Sequence, residues 1–250
     1  MVVRTALGAG MPLAGTGCAM APDMLRRIAA ARGGDPFDSD SLVEDYELGL
    51  RIAEFGGRAL FARVDDASGA TVAVRAYFPD TVDAAVRQKA RWMTGIALAG
   101  WDRTGWARPL ALPDHWMRAR DRRAPLAVLV LAAAYLALVL WGVSAVSHWL
   151  AGTQAQEPSD GVAALLPGNA VLLLWRIGMR AAITRQVYGW REACWSVPRL
   201  LVGNYIALLA ARRAVWRYVT MLRGGAVTWD KTQHHFPDVA AIDATKRPTL

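Results

Sequence analysis

Cysteine is almost absent from this 250-residue chain. Cys18 and Cys194 stand far apart, and neither has neighbours at metal-ligand spacing. That excludes the disulfide framework of small secreted domains and a cysteine-based zinc module. A Cys18–Cys194 bridge can be drawn on paper, but a reduced pair facing the cytosol fits better. A working export signal is also missing, because Gly8, Gly10 and Pro12 interrupt the apolar opening. Cys18 does not read as a lipoprotein cysteine either, since Gly15 stands where a leucine is expected. No internal repeat occurs. The chain reads as though it opens in the middle of a domain.

Charge is missing in one place above all. Residues 125–152 hold no Asp, Glu, Lys or Arg, and His148 is the one titratable cation there. A run of roughly 20 or more apolar residues can span a bilayer. Hydrophobic residues make up 54% of the sequence and tryptophan occurs 11 times, both high for a soluble domain. The formal net charge of +8 comes mostly from arginine. Those arginines flank apolar runs, which fits membrane topology and anionic lipid. With no recognition module present, nucleic acid is excluded as the partner.

Read in order, residues 1–20 are small and Gly-rich, a strand-and-turn pattern ending at Gly15-Thr16-Gly17-Cys18. A helix is predicted over 22–31, with Pro22 in its first turn and Gly33-Gly34 as its stop. Asp38-Ser39-Asp40 falls in a polar surface loop. Ser41-Leu42-Val43-Glu44 matches a capping box, so a second helix is expected there, with Leu48 and Ile52 as its buried stripe and Gly56-Gly57 at its end. The short apolar stretches 58–64 and 71–77 read as strands. Pro79-Asp80-Thr81 opens a third helix, whose core side is Val82, Val86, Ala90, Met93 and Ala97. This body ends near residue 101, and helices and strands together make it α/β.

A basic connector follows over 102–124, with Arg103, Arg108, Arg118, Arg120, Arg122 and Arg123. The membrane region is expected over 125–223, with spans at about 125–150 and 161–183. The loop between them carries Glu157 and Asp160, so the arginine asymmetry puts the connector inside. Arg176 and Arg180 end the second span and can snorkel to its inner edge. Residues 193–211 contain Pro198 and Arg199 and are basic at both flanks, which suits an interfacial or re-entrant helix. A polar tail occupies 224–250. His234-His235 there are read as solvated, since adjacent side chains point apart.

The chemistry gathers on the third helix and just after the start of the second. Gln88, Arg91 and Trp92 fall at i, i+3 and i+4 and share one helical face. Arginine grips phosphate oxygens with a forked pair of donors, indole offers a flat face to sugar C–H groups, and the amide bridges to hydroxyls. Taken alone, those three would be a surface helix with a tryptophan anchor. Glu44 has a capping duty, whereas Asp45 has none. A helix N-terminus favours the ionised form of Asp45, and a carboxylate held ionised beside a sugar site can act as general base.

The series Ala14-Gly15-Thr16-Gly17-Cys18, Val43-Glu44-Asp45 and Gln88-Lys89-Ala90-Arg91-Trp92, in this order and spacing, resembles family 2 processive glycosyltransferases. Those include cellulose and hyaluronan synthases. The tail Trp229-Asp230-Lys231-Thr232-Gln233-His234-His235-Phe236-Pro237 is similar to a narrower group of bacterial inner-membrane members. The resemblance implies a cytosolic GT-A domain, of which 1–101 would be the C-terminal half, followed by a helical membrane region in the bacterial inner membrane. It implies inverting transfer from a nucleotide sugar to a glycan acceptor. Asp45 would be the base and Glu44 its structural neighbour. Gln88 and Arg91 would contact diphosphate or acceptor, Trp92 would stack on the acceptor sugar, and Gly15, Thr16 and Gly17 would form the turn near the acceptor terminus.

Three departures stand out. Val43 replaces the family's usual threonine, and the Cys-Gly-Ser order of the turn is altered. The largest is an Asp-x-Asp motif for Mg²⁺ (or Mn²⁺), expected before the Gly-Thr-Gly turn; Asp38-Ser39-Asp40 has the letters in the wrong place. The metal ligands are therefore expected outside this chain, which reads as part of an enzyme that does not turn over by itself. A competing expectation is a non-catalytic membrane anchor or assembly partner in envelope polysaccharide export or phage adsorption, derived from a truncated transferase, with an outer-membrane export partner.

Overall fold

The computed structural model describes residues 1–69, 71–73, 78–154 and 157–225. They form helices α1 (Val2–Leu7), α2 (Pro22–Arg32), α3 (Glu44–Glu54), α4 (Val82–Met93), α5 (Ala99–Thr104), α6 (Leu112–Arg122), α7 (Ala124–Ala151), α8 (Asp160–Tyr188), α9 (Trp190–Ser196) and α10 (Pro198–Leu222). A π-helical turn, Thr94–Leu98, joins α4 to α5. Two compact units result. Among the described residues the first comprises 1–126 and 209–225, and the second comprises 127–208.

The first unit is built around α3. Leu48 and Ile52 pack with Ile28 of α2 on one side, and Val43, Tyr46 and Leu50 form a second cluster with Ile96 on the other. Burying a side chain such as Leu50 or Ile28 stabilises a fold by about 1.5–3 kcal/mol. Helix α2 ends at Gly33, whose left-handed φ of +88° directs its N–H to the Ala29 carbonyl, as its sequence promised. Helix α4 begins where expected, with the Thr81 hydroxyl accepting the Ala84 N–H at 3.3 Å. Val86, Ala90, Met93 and Ala97 are buried as expected, but Val82 is exposed because it occupies the first, outward-facing turn.

Three expectations for this unit need correction. Residues 2–7 form helix α1, where a strand was anticipated. Its Arg4 is buried and donates to the Gly10 carbonyl and the Asp121 carboxylate, which gives this short helix an anchor. The capping box fails. The Ser41 N–H goes to the Asp38 carbonyl (3.0 Å), while its hydroxyl accepts from Val43 N–H (3.2 Å) and donates to Glu47 (2.8 Å). Nothing is left at Ser41 for Glu44 to reach, and α3 starts at Glu44 behind Val43.

The third correction concerns the sheet. Among the described residues no β-strand forms, so the α/β architecture expected for 1–101 is not seen there. An isolated antiparallel bridge pairs Asp65 with Thr71, and Val72 N–H reaches the Val64 carbonyl at 2.8 Å. Among the described residues no third strand adjoins this pair, and a lone two-stranded hairpin is only marginally stable. Residues 74–77 of the second segment lie outside the described residues.

Two arginines of the basic stretch after residue 101, Arg118 and Arg122, are buried in this unit. Arg118 is 1% exposed and donates to the Thr104 carbonyl at 2.8 Å and to Glu54 at 2.7 Å. Arg122 is buried, bonds the Thr104 hydroxyl at 2.9 Å and lies 4.6 Å over the Trp101 ring. Arg103 reaches the buried Glu47 at 3.0 Å and also pairs with Asp38. These arginines clamp α3, α5 and α6 together. Arg118→Ala should therefore destabilise the unit by about 3 kcal/mol, because truncation removes charged hydrogen bonds and leaves buried carbonyls unpaired. Thermal melting of the purified chain in detergent would measure it; an unchanged midpoint would remove the clamp. From the far end of the sequence, α10 returns to this unit, where Tyr218 donates to Asp102 at 2.7 Å.

The second unit is helical throughout. Helices α7 and α8 have 28 and 29 residues, lengths and compositions able to cross a membrane. Their apolar side chains face outward, which suits lipid rather than water, and the chain is a membrane protein. Helix α9 and α10 meet at a 44° bend at Val197-Pro198, the geometry of either a broken span or a re-entrant element. Arg180 Nε donates to the Ser196 carbonyl at 3.1 Å, and Asn204 donates to Tyr135 at 3.0 Å, tying α8 to α9 and α10 to α7. Cys18 and Cys194 are both free thiols.

Candidate active site

Asp45 lies in the first turn of α3, half-buried, with Oδ1 accepting the Tyr46 N–H at 2.8 Å. Its other oxygen faces the backbone of Gly15. A Cβ placed on Gly15 would stand 3.0 Å from Asp45 Oδ2, and Gly15 itself holds a left-handed φ of +74°. Only a residue without a side chain satisfies both conditions.

The approach of that loop depends on a residue the sequence reading passed over. A Cβ on Gly49 would stand 2.2 Å from the Met11 carbonyl oxygen and 2.7 Å from Leu13 N. Asp45, Gly49 and Ala53 are four apart and share one face of α3. Gly10 meets Ala53, Met11 to Leu13 cross Gly49, and Gly15 meets Asp45, so the chain 10–15 runs antiparallel along that face. The available signal was a glycine inside a helical pattern, which costs helix stability and so implies close packing.

Burial raises the Asp45 carboxyl above its ordinary value, and the neighbouring Glu44 charge adds to this. The Tyr46 N–H, its own N–H and the Arg91 charge oppose the rise without cancelling it. Helix-dipole reasoning alone favoured the ionised form; desolvation outweighs it here. A carboxylate whose pKa is lifted is a stronger base once ionised.

Of the expected site residues on α4, Arg91 lies near enough to Asp45 for its charge to act on that carboxylate. Gln88 is half-buried on the same helical face, and Trp92 beside Arg91 is 41% exposed, leaving ring area free for a ligand. Glu44 adjoins Asp45 in sequence and electrostatically. Thr16 and Gly17 line a groove of ≈ 580 Å³ whose other walls include Leu13, Met24, Ile52 and Leu60. The loop 14–17 thus stands between Asp45 and an apolar groove.

The network holding Asp45's helix was also missed. Glu47, two residues on and 2% exposed, is held by Ser41 and Arg103. Asp38, expected in a plain surface loop, is the far end of that network. Burial pushes its carboxyl up, but the Arg32 hydrogen bond, the Asp40 N–H and the Arg103 charge together hold it below its ordinary value. That occupies Asp38 as an ion-pair partner. Among the described residues no three His, Cys, Asp or Glu side chains gather as a metal-binding group. His234 and His235 lie outside the described residues.

The chain thus sets a half-buried carboxylate, Asp45, under the influence of the Arg91 charge, and it carries two helices of membrane-spanning length. Residues 1–222 match the family described as glycosyl transferase family group 2, and the chain belongs to that family. It is 33% identical over 98% of its length to bacteriophage adsorption protein B of Escherichia coli strain K12. The same identity and coverage hold for bacteriophage N4 adsorption protein B of Escherichia coli O157:H7. The match spans 36% of the length of each relative. No solved structure matches the chain.

Proposed function

We propose that this chain forms the acceptor side of an inverting glycosyltransferase site of GT-A type at the cytoplasmic face of the bacterial inner membrane. The observation that carries the proposal is the half-buried Asp45 carboxylate, with Gly15 against one oxygen and Arg91 within electrostatic reach. Asp45 accepts the proton of an acceptor hydroxyl, and the resulting oxygen forms a bond to the anomeric carbon of a nucleotide sugar. The bond from that carbon to the diphosphate breaks, the electron pair leaves with the diphosphate, and the configuration inverts. Arg91 and Gln88 contact the diphosphate or acceptor, where a fixed positive charge offsets the charge that develops on departure. Trp92 is the platform for the acceptor sugar. A divalent cation, Mg²⁺ or Mn²⁺, would supply further charge neutralisation, with ligands from outside the described residues.

The platform is open to direct measurement in a polypeptide of the relatives' full length that carries this region. Trp92→Ala should raise the acceptor KM by about tenfold with a smaller change in kcat, since the ring binds rather than reacts. Its exposure predicts an unchanged melting temperature. An unaltered acceptor KM would remove Trp92 from the site and leave the role of Asp45 to be tested separately.

A further inference from the structure

Asp121, in a stretch that the sequence marks only as a basic connector, touches both sides of the contact between Asp45 and Gly15. On the α3 side the link is Tyr46, buried and next to Asp45 in the chain. Its N–H donates to Asp45 Oδ1 at 2.8 Å, and its hydroxyl donates to Asp121 Oδ2 at 2.9 Å. On the loop side the link is the buried Arg4, which donates to that same Oδ2 and to the Gly10 carbonyl, at the head of the segment 10–15. Arg4 also reaches the Met117 carbonyl at 3.3 Å, and the Gly10 N–H donates to Asp114 Oδ1 at 2.5 Å. Asp114, Met117 and Asp121 stand at i, i+3 and i+7, so one face of α6 makes all of these contacts. A carboxylate suits the task, since each oxygen can accept more than one donor.

We infer that Asp121 is a positioning residue for Asp45, fixing the first turn of α3 through Tyr46 and the segment 10–15 through Arg4. The inference rests on the reading of Asp45 as the base. Glu44 and Arg91 are the charges that act on Asp45, while Asp121 faces Arg4, Arg122 and the Tyr46 hydroxyl. Asp121 therefore works on the base through the backbone it holds. Burial, and then the charge and hydrogen bond of Asp121, raise the Tyr46 hydroxyl above its ordinary value, so it stays a donor over the working range of pH. Releasing either link lets Gly15 draw away from Asp45 and admits water to the carboxyl. Its raised pKa then falls toward the ordinary value, and its placement against the acceptor hydroxyl is lost.

The test compares Asp121→Ala and Tyr46→Phe in a polypeptide of the relatives' full length that carries this region, below the lowest melting temperature of the set. Each should lower kcat by about 10–10²-fold with little change in KM, as expected when a reacting group is misplaced. Each should also move the acid limb of kcat/KM down toward 3.8. Tyr46→Phe keeps the charge at position 121 and removes only its bond. A limb moved by Asp121→Ala and unmoved by Tyr46→Phe would therefore mean a direct charge effect and overturn the inference. Arg118→Ala loosens the same helix through Glu54 and Thr104, outside this network, and should leave the limb in place. An equal shift in that variant would reduce the effect to general loosening and overturn the inference too. In the 250-residue chain in detergent, amide exchange over residues 10–15 should be faster in Asp121→Ala than in Arg118→Ala; equal rates would count against Asp121 in the same way. An inactive Asp45→Asn beside an unmoved limb removes this inference alone, whereas normal turnover in Asp45→Asn removes the base and the inference with it.

Discussion

Replacing Asp45 with asparagine is expected to lower sugar transfer by about 10²–10⁴-fold, the usual contribution of a positioned general base. The change removes the proton acceptor and keeps the shape, including the oxygen that accepts the Tyr46 N–H. Stability should respond in the opposite sense. Burial lifts the folded-state pKa of Asp45 above its unfolded value, so the folded chain favours the protonated form. The stability this supplies is complete below the unfolded pKa and is lost as pH rises through the folded one. Asparagine mimics the neutral form at every pH, so Asp45→Asn should melt no lower than the unaltered chain at neutral pH. In a polypeptide of the relatives' full length, the acid limb of kcat/KM should lie above the ordinary carboxylate value of 3.8. Normal turnover in the asparagine variant would remove Asp45 from the mechanism, whatever the melting data show.

Gly49→Ala should be a strongly damaging single-methyl change in the first unit. The new Cβ would stand 2.2 Å from the Met11 carbonyl oxygen and 2.7 Å from the Pro12 Cα, both backbone atoms that no rotamer change can move aside. Overpacking of this sort costs about 1–3 kcal/mol, occasionally more. Helix propensity works the other way, since alanine favours a helix interior over glycine by about 1 kcal/mol. The steric cost should win, because the segment 11–13 must lift off α3. Lifting it separates Gly15 from Asp45, so transfer should fall further than stability alone accounts for. A melting scan together with the pH profile of kcat/KM would show both effects. A variant that melts higher and keeps the profile would mean that the segment is not pressed against α3 in solution.

Helix starts and stops were legible because their causes are local. Thr81 caps α4 and Gly33 closes α2 through contacts within four residues. The apolar runs of α7 and α8 were equally plain, since composition over a length sufficient for a bilayer needs no tertiary context. Ser41 misled for the reverse reason. Its local pattern suits a cap, yet Asp38, Val43 and Glu47 claim its hydrogen-bonding groups first. The partner of Arg118 was likewise hidden, because a charge pattern does not reveal that it finds Glu54 across the fold.

What the residues determined unaided was the family, through ordered motifs around Gly15, Asp45 and Arg91, and two membrane-length apolar runs. These are properties of residue type and spacing, and they survive without coordinates. Tertiary structure alone decided that Gly15 touches the Asp45 carboxylate, that Gly49 permits the contact, and that burial lifts the acid. Each depends on two backbones approaching until a methyl group no longer fits, a distance that no one-dimensional pattern encodes.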